Sequence, residues 1–166
     1  MLSRRRAGVA VFVFAFAATV SVTAGAEIRP PTQTAAPGPA AHLTTRSVEA
    51  QLSGDSAKAL ALAEKAIQSD PNDPWGYYNR GDALRGLRRT DEAVSAYRDA
   101  EQRFAADAWG KSVAIWGQAN ALAEDGRCQE AAPTYERYAR FVERLDSSAA
   151  ALARQYARDC VPSPTK

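Results

Sequence analysis

Residue types that carry out catalysis are few in this sequence, and none stands in an arrangement typical of an active site. The chain has one histidine, His42, whose surroundings do not match a catalytic triad. Ser47, Ser53 and Ser56 fall in or beside predicted helices and turns, outside the sharp-turn motif that exposes a nucleophilic serine. The sequence has no glycine-rich phosphate-binding loop. We therefore predict that the chain has no catalytic residues and is not an enzyme.

Acidic residues are common, but their positions are typical of helix starts and solvated faces. Such carboxylates are Asp55, Glu64, Asp91, Glu92 and Glu130. A carboxylate at a helix N-terminus interacts favourably with the helix dipole, which is a structural role. The single histidine and two widely separated cysteines do not form a ligand set typical of a metal site. We predict neither a metal nor a cofactor.

The helices that would position these residues form a repeat. Apolar and small residues between Trp75 and Phe104 recur every three or four positions, which is a helical period. A turn at Gly86–Thr90 divides this stretch, and Asp91 and Glu92 open the second helix. The pattern recurs upstream at a spacing of 34 residues and downstream at 38, in the pairs Ala59 and Ala93, Ala66 and Ala100, Ala93 and Ala131, and Tyr97 and Tyr135. The chain therefore contains three copies of one helix hairpin.

The second copy carries small residues where two helices must approach closely and large residues where a neighbouring hairpin must be met. These positions are Tyr77, Gly81 and Leu84 on the first helix and Ala93, Tyr97 and Ala100 on the second. In this pattern the chain resembles the tetratricopeptide repeat (TPR) family. The third copy keeps Ala119, Leu122, Ala131 and Tyr135, whereas the first copy is weaker, as is usual for an end repeat. The prolines of the Asp70–Pro74 segment fit the family's helix-terminating proline.

The periodicity and this resemblance predict an all-α fold, an α-solenoid of three TPR-like helix hairpins plus a C-terminal capping helix. The repeats are placed at 41–73, 74–107 and 108–145, and the cap at 146–161. The predicted helices are Ala41–Leu52, Ser56–Ser69, Trp75–Gly86, Asp91–Phe104, Ala108–Glu124, Gln129–Leu145 and Ser147–Asp159. The capping helix is expected to bury a stripe of Ala149, Leu152, Ala153 and Tyr156, as a helix that closes a solenoid should.

Residues 1–26 have the organisation of a secretory signal peptide. Arg4–Arg6 precede an uncharged run, Ala7–Val22, and Ala24–Ala26 offers a small-residue cleavage site. An uncleaved anchor is the alternative, although the run is short for a membrane span. Residues 27–40 carry four prolines and are predicted to be a semi-extended Pro/Ala-rich tether. We expect an exported bacterial protein, periplasmic or secreted, that meets a membrane only through an uncleaved signal segment.

The charge of the chain does not point to a nucleic-acid partner. Without residues 1–26 the chain has 18 basic and 19 acidic residues, for a net charge of −1. The excess of +2 in the whole sequence therefore comes from the three signal-segment arginines. Nucleic-acid binding depends on concentrated Lys and Arg, and no such stripe occurs.

The two cysteines are expected to form a disulfide. Cys128 starts the second helix of the third copy, and Cys160 ends the capping helix. The two helices follow one another through a turn near Asp146 and should run antiparallel, so a rise of about 1.5 Å per residue places both cysteines at the same end. An exported protein meets an oxidising compartment. We predict a Cys128–Cys160 disulfide rather than a redox or metal pair, because the cysteines do not form a C-x-x-C motif.

In TPR proteins the first helix of each hairpin lines a concave groove that receives a peptide or helix of a partner, and the resemblance implies such a groove here. Its predicted lining comprises Trp75, Tyr78, Asp82, Arg85, Trp116, Asn120 and Glu124, with Thr44, Val48, Gln51 and Val113 around them. For Trp75 and Trp116, packing between hairpins as core residues is an equal alternative. Tyr78 and Arg85 are expected to be exposed.

One TPR subgroup binds the C-terminal carboxylate of chaperones through Lys, Asn and Arg residues of its groove. Only Asn79 falls on a matching position here, and Thr44, Val48, Val113 and Gly117 occupy the others. The resemblance therefore does not extend to a chaperone-tail receptor.

These observations favour a non-catalytic protein–protein interaction module that holds a peptide or helix of another protein in its groove. The alternative is an accessory structural subunit of a cell-envelope assembly, such as an outer-membrane or pilus complex, with contacts on the convex face and cap. A lipid or small-molecule carrier ranks last, because three repeats are too few to close an apolar cavity.

Overall fold

The computed structural model describes residues 38–160, and seven helices account for most of them. They are α1 (Pro39–Leu52), α2 (Ser56–Ser69), α3 (Pro74–Gly86), α4 (Thr90–Arg103), α5 (Ala108–Glu124), α6 (Cys128–Val142) and α7 (Ser147–Cys160). This part of the chain contains no strand. The predicted signal peptide, the tether up to residue 37 and the C-terminal tail lie outside the described residues.

Each predicted helix is present, and the ends differ from prediction by at most three residues. α1 begins at Pro39, inside the stretch predicted as tether, because proline is tolerated in the first helical turn, where its missing N–H is not needed. Asp107 caps α5 by accepting a hydrogen bond from the Gly110 N–H at 3.0 Å, as its position predicted. Asp55 and Asp73 cap α2 and α3 in the same way.

The helices stack in chain order. α1 with α2, α3 with α4, and α5 with α6 form three hairpins, and α7 packs against α6. The first helices of successive hairpins also meet, α1 with α3 and α3 with α5, so they share one face of the stack. The all-α solenoid of three hairpins with a capping helix is therefore confirmed.

Two tyrosines show that the second and third hairpins are structural repeats of each other. The Tyr97 hydroxyl of α4 donates to Asp82 Oδ1 of α3 at 2.6 Å. The Tyr135 hydroxyl of α6 donates to Asn120 Oδ1 of α5 at 2.7 Å. Donor and acceptor are 15 residues apart in both pairs, so the second hairpin and the third are built in the same register.

The Tyr97 ring is fully buried between helices that reach it through glycines. A Cβ at Gly81 of α3 would lie 2.7 Å from Tyr97 Cδ1, and a Cβ at Gly117 of α5 would lie 2.7 Å from Tyr97 Cε1. Both distances are well below van der Waals contact, so any side chain at either position would displace the ring. Tyr97 therefore sets the spacing between the second and third hairpins.

The three hairpin turns place a left-handed residue at the same point. Gly54 (φ 82°) and Gly126 (φ 75°) occupy it in the first and third hairpins, and Arg88 (φ 61°) occupies it in the second. A residue with a side chain pays roughly 1 kcal/mol for this conformation. Arg88 Nη1 also donates to the Glu124 carbonyl oxygen at 3.1 Å, so the strained turn is tied to the next hairpin.

The buried face of α7 differs from the predicted stripe. Ala150, Ala153 and Ala157 are buried, whereas Leu152 and Tyr156 are 48% and 45% exposed. The prediction placed the large residues inside, but the face of α7 that packs against α6 is built from alanines. Leu152 instead stays half exposed, and so does Tyr156, whose ring stacks on that of Tyr135 with the centroids 5.6 Å apart.

The predicted disulfide is confirmed. Cys128 at the start of α6 and Cys160 at the end of α7 are bonded, with their Cα atoms 5.0 Å apart. The bond closes a segment with a sequence separation of 32, which contains the whole of α6 and α7. It therefore links the cap covalently to the last repeat.

The glycine contacts of Tyr97 lead to a stability prediction. Gly117→Ala should lower the free energy of unfolding by about 1–2 kcal/mol, because the steric cost outweighs the better helix propensity of alanine. Urea unfolding measures this difference. In a Tyr97→Leu background the same substitution should be neutral or stabilising, and equal losses in both backgrounds would contradict the proposed contact.

The disulfide leads to a second stability prediction. Replacing Cys128 and Cys160 with serine should lower the free energy of unfolding by about 3–4 kcal/mol, since the unfolded chain loses a cross-link that restricts it. Chemical unfolding with and without reductant measures the effect, and reductant should not change the double variant. Two alkylatable thiols in the unreduced wild-type protein would show that the bond does not form.

Candidate partner-binding groove

A cleft of about 630 Å³ opens between α1 and α3 and reaches the turn that joins α2 to α3. Its walls are Thr44, Thr45 and Val48 of α1, Trp75, Tyr78 and Asp82 of α3, and Asp70, Asn72 and Asp73 of the turn. A smaller cleft of about 220 Å³ shares Val48, Asn79 and Asp82 with it and extends to Gln51 and Arg85. We refer to the two together as the α1–α3 cleft.

The width of the cleft is held by polar contacts between α1 and α3. Asn79, which is 5% exposed, donates from Nδ2 to the Thr44 carbonyl oxygen at 3.0 Å. Thr44 Oγ1 lies 3.5 Å from Asp73 Oδ2, while Asp73 Oδ1 accepts from the Trp75 N–H at 3.0 Å. The Asn79 amide is therefore engaged within the fold.

Aromatic rings form one wall of the cleft. Trp75 lies with its ring centroid 4.9 Å from that of Phe104 and 5.3 Å from that of Trp109. It therefore packs between hairpins and lines the cleft at once, so both interpretations of Trp75 hold. Tyr78 is partly buried rather than exposed as expected, since its ring lies 5.5 Å from that of Tyr97. Burial raises the pKa of Tyr78 to about 12.

The charged residues of the predicted groove are paired with one another. Asp82 Oδ1 accepts from the Tyr97 hydroxyl and lies 3.5 Å from Arg85 Nη2. Arg85 Nη1 also lies 2.6 Å from Glu124 Oε1 on α5. Arg85 is partly buried, contrary to expectation, because it bridges carboxylates of two hairpins. Burial raises the pKa of Asp82, and the hydrogen bond from Tyr97 and the charge of Arg85 oppose that rise.

Trp116 and Asn120 lie outside the cleft. The Trp116 ring centroid is 5.2 Å from Tyr135, 5.0 Å from Tyr138 and 5.5 Å from Tyr156, in an aromatic cluster of α5, α6 and α7. Asn120 accepts the hydrogen bond of Tyr135. The core interpretation therefore describes Trp116 better, whereas Trp75, Tyr78, Asp82 and Arg85 are predicted groove residues that line the α1–α3 cleft.

The α1–α3 cleft is open because the first hairpin lacks the contact found in the other two, in which a tyrosine of the second helix donates a hydrogen bond to the first helix. Val48 and Ala63 occupy the positions 34 residues before Asp82 and Tyr97. Alanine supplies neither a ring nor a hydroxyl, and Val48 remains 43% exposed in the wall of the cleft. The weakness of the first repeat in the sequence thus corresponds to an open surface in the fold.

The acidic rim of the cleft was missed by sequence reasoning. Asp70, Asn72 and Asp73 were interpreted only as part of a helix-terminating break, yet they border the cleft beside Trp75. Carboxylates next to an aromatic residue in a turn were the available signal. Among the described residues, no Lys or Arg lines the larger part of the cleft. Burial leaves the Asp73 carboxylate poorly solvated and thereby raises its pKa.

Among residues 38–160, no group of three or more metal-ligating side chains lies close enough together to hold a metal ion. Within this range no helix has both the length and the apolar character needed to cross a bilayer. What the cleft offers is aromatic and aliphatic contact, hydrogen-bonding groups and negative charge.

The sequence profile of the tetratricopeptide repeat matches residues 62–95, which run from the middle of α2 into α4. Residues 62–95 are therefore a tetratricopeptide repeat. No curated protein sequence matches the chain. Among solved structures, the chain is similar to the TPR2B domain of yeast Sti1 in a complex with pHsp70. The TM-score is 0.63 at 20% identity, over 73% of this chain and 94% of that one.

A second similar structure is a TPR-like protein from Chlorobium tepidum TLS, with a TM-score of 0.56 at 20% identity. The match covers 73% of this chain and 90% of that chain. At such identities the likeness shows the fold alone, and both neighbours agree with the solenoid built above.

The electrostatics of Asp82 lead to a prediction about pH. A carboxyl whose pKa is raised in the fold binds its proton more tightly there than in the unfolded chain, so stability falls as the pH rises above its ordinary value of 3.8. Asp82→Asn keeps an acceptor for Tyr97 and removes this loss. Measured by urea unfolding, the stability of the variant relative to wild type should therefore grow between about pH 4 and pH 7.

Asp146 provides a control of opposite sign. The Ser148 hydroxyl and backbone N–H groups lower the pKa of this capping carboxyl, so its contribution is present at neutral pH and lost as the pH falls. The advantage of wild type over Asp146→Ala should shrink on acidification. If both variants changed with pH in the same direction, the assignment to Asp82 would be wrong.

Proposed function

We propose that this TPR protein is a non-catalytic interaction module that binds an extended peptide or a helix of a partner protein in the α1–α3 cleft. TPR solenoids are in general modules of protein–protein interaction. The observation that carries the proposal is the open cleft, whose walls combine the exposed Val48 with the rings of Trp75 and Tyr78. Aromatic side chains in a concave site are typical of residues that dominate binding energy.

The cleft favours a partner segment with apolar and basic side chains. Its volume of about 630 Å³ accommodates several side chains and lies in the range of ligand-binding clefts. Asp70, Asp73 and Asp82 supply negative charge along it. Complementary charge mainly sets specificity and the rate of association, so a basic segment should be selected over an acidic one.

The same charge argues against a ligand with a C-terminal carboxylate. The yeast neighbour is described in a complex with pHsp70, which supports a protein ligand for a solenoid of this kind. Here, however, Asn79 donates to Thr44, and Asp73 and Asp82 would repel a carboxylate. The ligand class proposed is therefore an internal or N-terminal segment of a partner.

We also propose that the protein acts outside the cytoplasm, in the periplasm or as a secreted protein. The pattern of residues 1–26 supports export, and the Cys128–Cys160 disulfide is consistent with an oxidising compartment.

A second candidate function is favoured by one observation at the other end of the solenoid. Leu145, Leu152 and Tyr156 are each about half exposed on and beside the capping helix. Large apolar side chains at the end of a stack offer a surface for a permanent complex. This surface supports the role of an accessory subunit in a cell-envelope assembly, with contacts through the cap.

Two matched substitutions separate the candidates. Val48 in the cleft and Leu152 on α7 are exposed to a similar extent, 43% and 48%, so aspartate at either position should leave the fold intact. Linear peptides selected from a display library on the wild-type chain would be measured against both variants by fluorescence anisotropy. Val48→Asp should weaken binding about tenfold or more, equivalent to about 1.4 kcal/mol.

In the same assay Leu152→Asp should change the affinity by less than twofold. Cleft binding is contradicted when the selected peptides bind Val48→Asp as tightly as wild type. The opposite pattern, with loss only for Leu152→Asp, would favour the cap surface.

A further inference from the structure

The first described residue of the chain lies at the cleft itself. Gly38 caps α1 and is part of the lining of the α1–α3 cleft, together with Ala40 and Ala41. Its backbone is extended, with φ −62° and ψ 170°, so the preceding residues join α1 at the border of the cleft. Residues 27–37 are thus covalently attached to the rim of the site that the proposed function assigns to a partner.

The chemistry of residues 27–37 matches the cleft. Pro30, Pro31 and Pro37 favour an extended polyproline II conformation, and aromatic-lined grooves are a recurrent binding site for such segments. Arg29 is the single basic residue of this stretch. The larger part of the cleft holds three aspartates, and no described Lys or Arg lines it. Asp82 is partly neutralised by Arg85 in the smaller part of the cleft, with the closest side-chain atoms 3.5 Å apart.

The length of the segment is sufficient. From Trp75 to Asp82 the wall of the cleft rises along α3 by about 10 Å, at about 1.5 Å per residue. In a polyproline II conformation the nine steps from Arg29 to Gly38 span about 28 Å, at about 3.1 Å per residue. The surplus allows the chain to reverse direction at Gly38 and still bring Arg29 within reach of Asp82.

We infer that residues 27–37 bind in cis in the α1–α3 cleft, with the proline pair against the aromatic wall and Arg29 beside the aspartates, so that a partner must displace them. This inference rests on the proposed function of the cleft. A short linker holds a segment at an effective concentration of about 1 mM. A segment with an intrinsic dissociation constant of about 0.1 mM would then occupy the cleft nine-tenths of the time and weaken a competing partner about tenfold.

The test compares full-length chains that differ only in the terminal segments. One variant carries Arg29→Glu, Pro30→Gly and Pro31→Gly, and the matched control carries Pro162→Gly and Pro164→Gly near the other end of the chain. The probe is a fluorescent synthetic peptide of residues 27–38. It should bind the first variant about tenfold more tightly than wild type or the control, and adding Val48→Asp to that variant should abolish binding.

A second measurement does not depend on the added peptide. In amide NMR spectra, wild type and the first variant should differ at Thr45, Val48 and Tyr78, whereas wild type and the control should not. The inference is overturned if the cleft resonances are identical in all three chains and the probe either binds all three with equal affinity or binds none of them at millimolar concentration.

The failure of this inference is distinguishable from the failure of the proposed function. If library-selected peptides still lose affinity with Val48→Asp while the probe does not bind, the cleft remains a partner site and only the cis segment is rejected. If the selected peptides are also insensitive to Val48→Asp, the cleft itself is rejected, and the cis inference with it.

Discussion

The contact of the Tyr97 ring with two glycines is the constraint on which the arrangement of the hairpins depends. Gly81 and Gly117 leave no room for a Cβ beside the ring, so α3 and α5 are held at the distance that one aromatic side chain imposes. The hydroxyl then fixes the rotation of α3 through Asp82. Because Asp82 also meets Arg85, which reaches Glu124 on α5, a single buried residue organises packing and charge across two repeats.

The open cleft follows from the place where this construction is absent. The third hairpin repeats it with Tyr135 and Asn120, and the capping helix adds Tyr156 against the same ring at 5.6 Å. In the first hairpin the corresponding residues are Ala63 and Val48, which cannot make the contact. Tyrosine rings therefore fill the space between helices at the C-terminal end of the solenoid. At the N-terminal end no such ring is present, and apolar surface between α1 and α3 stays accessible.

Retaining negative charge in this cleft costs stability. Asp73 and Asp82 both have raised pKa values because burial disfavours their ionised forms. Hydrogen bonds from the Trp75 N–H and the Tyr97 hydroxyl offset part of that cost. A basic side chain brought in by a ligand would offset more of it, whether the ligand is a partner or the chain's own Arg29. The same electrostatic imbalance thus supports both the proposed function and the cis segment.

Local sequence determined the helices, their pairing and the disulfide. The spacing of Tyr97 and Tyr135 is enough to align two repeats, and antiparallel helices of similar length bring Cys128 to Cys160 whatever the details of packing. Tertiary structure alone decided which side chains face a ligand. It left Leu152 half exposed because alanines form the face of α7 that packs against α6, and it drew Trp116 and Tyr156 into an aromatic cluster. It also brought Asp70 and Asp73 close to α1. The distance between two helices depends on all the side chains packed between them, so the repeat spacings of 34 and 38 residues do not predict it.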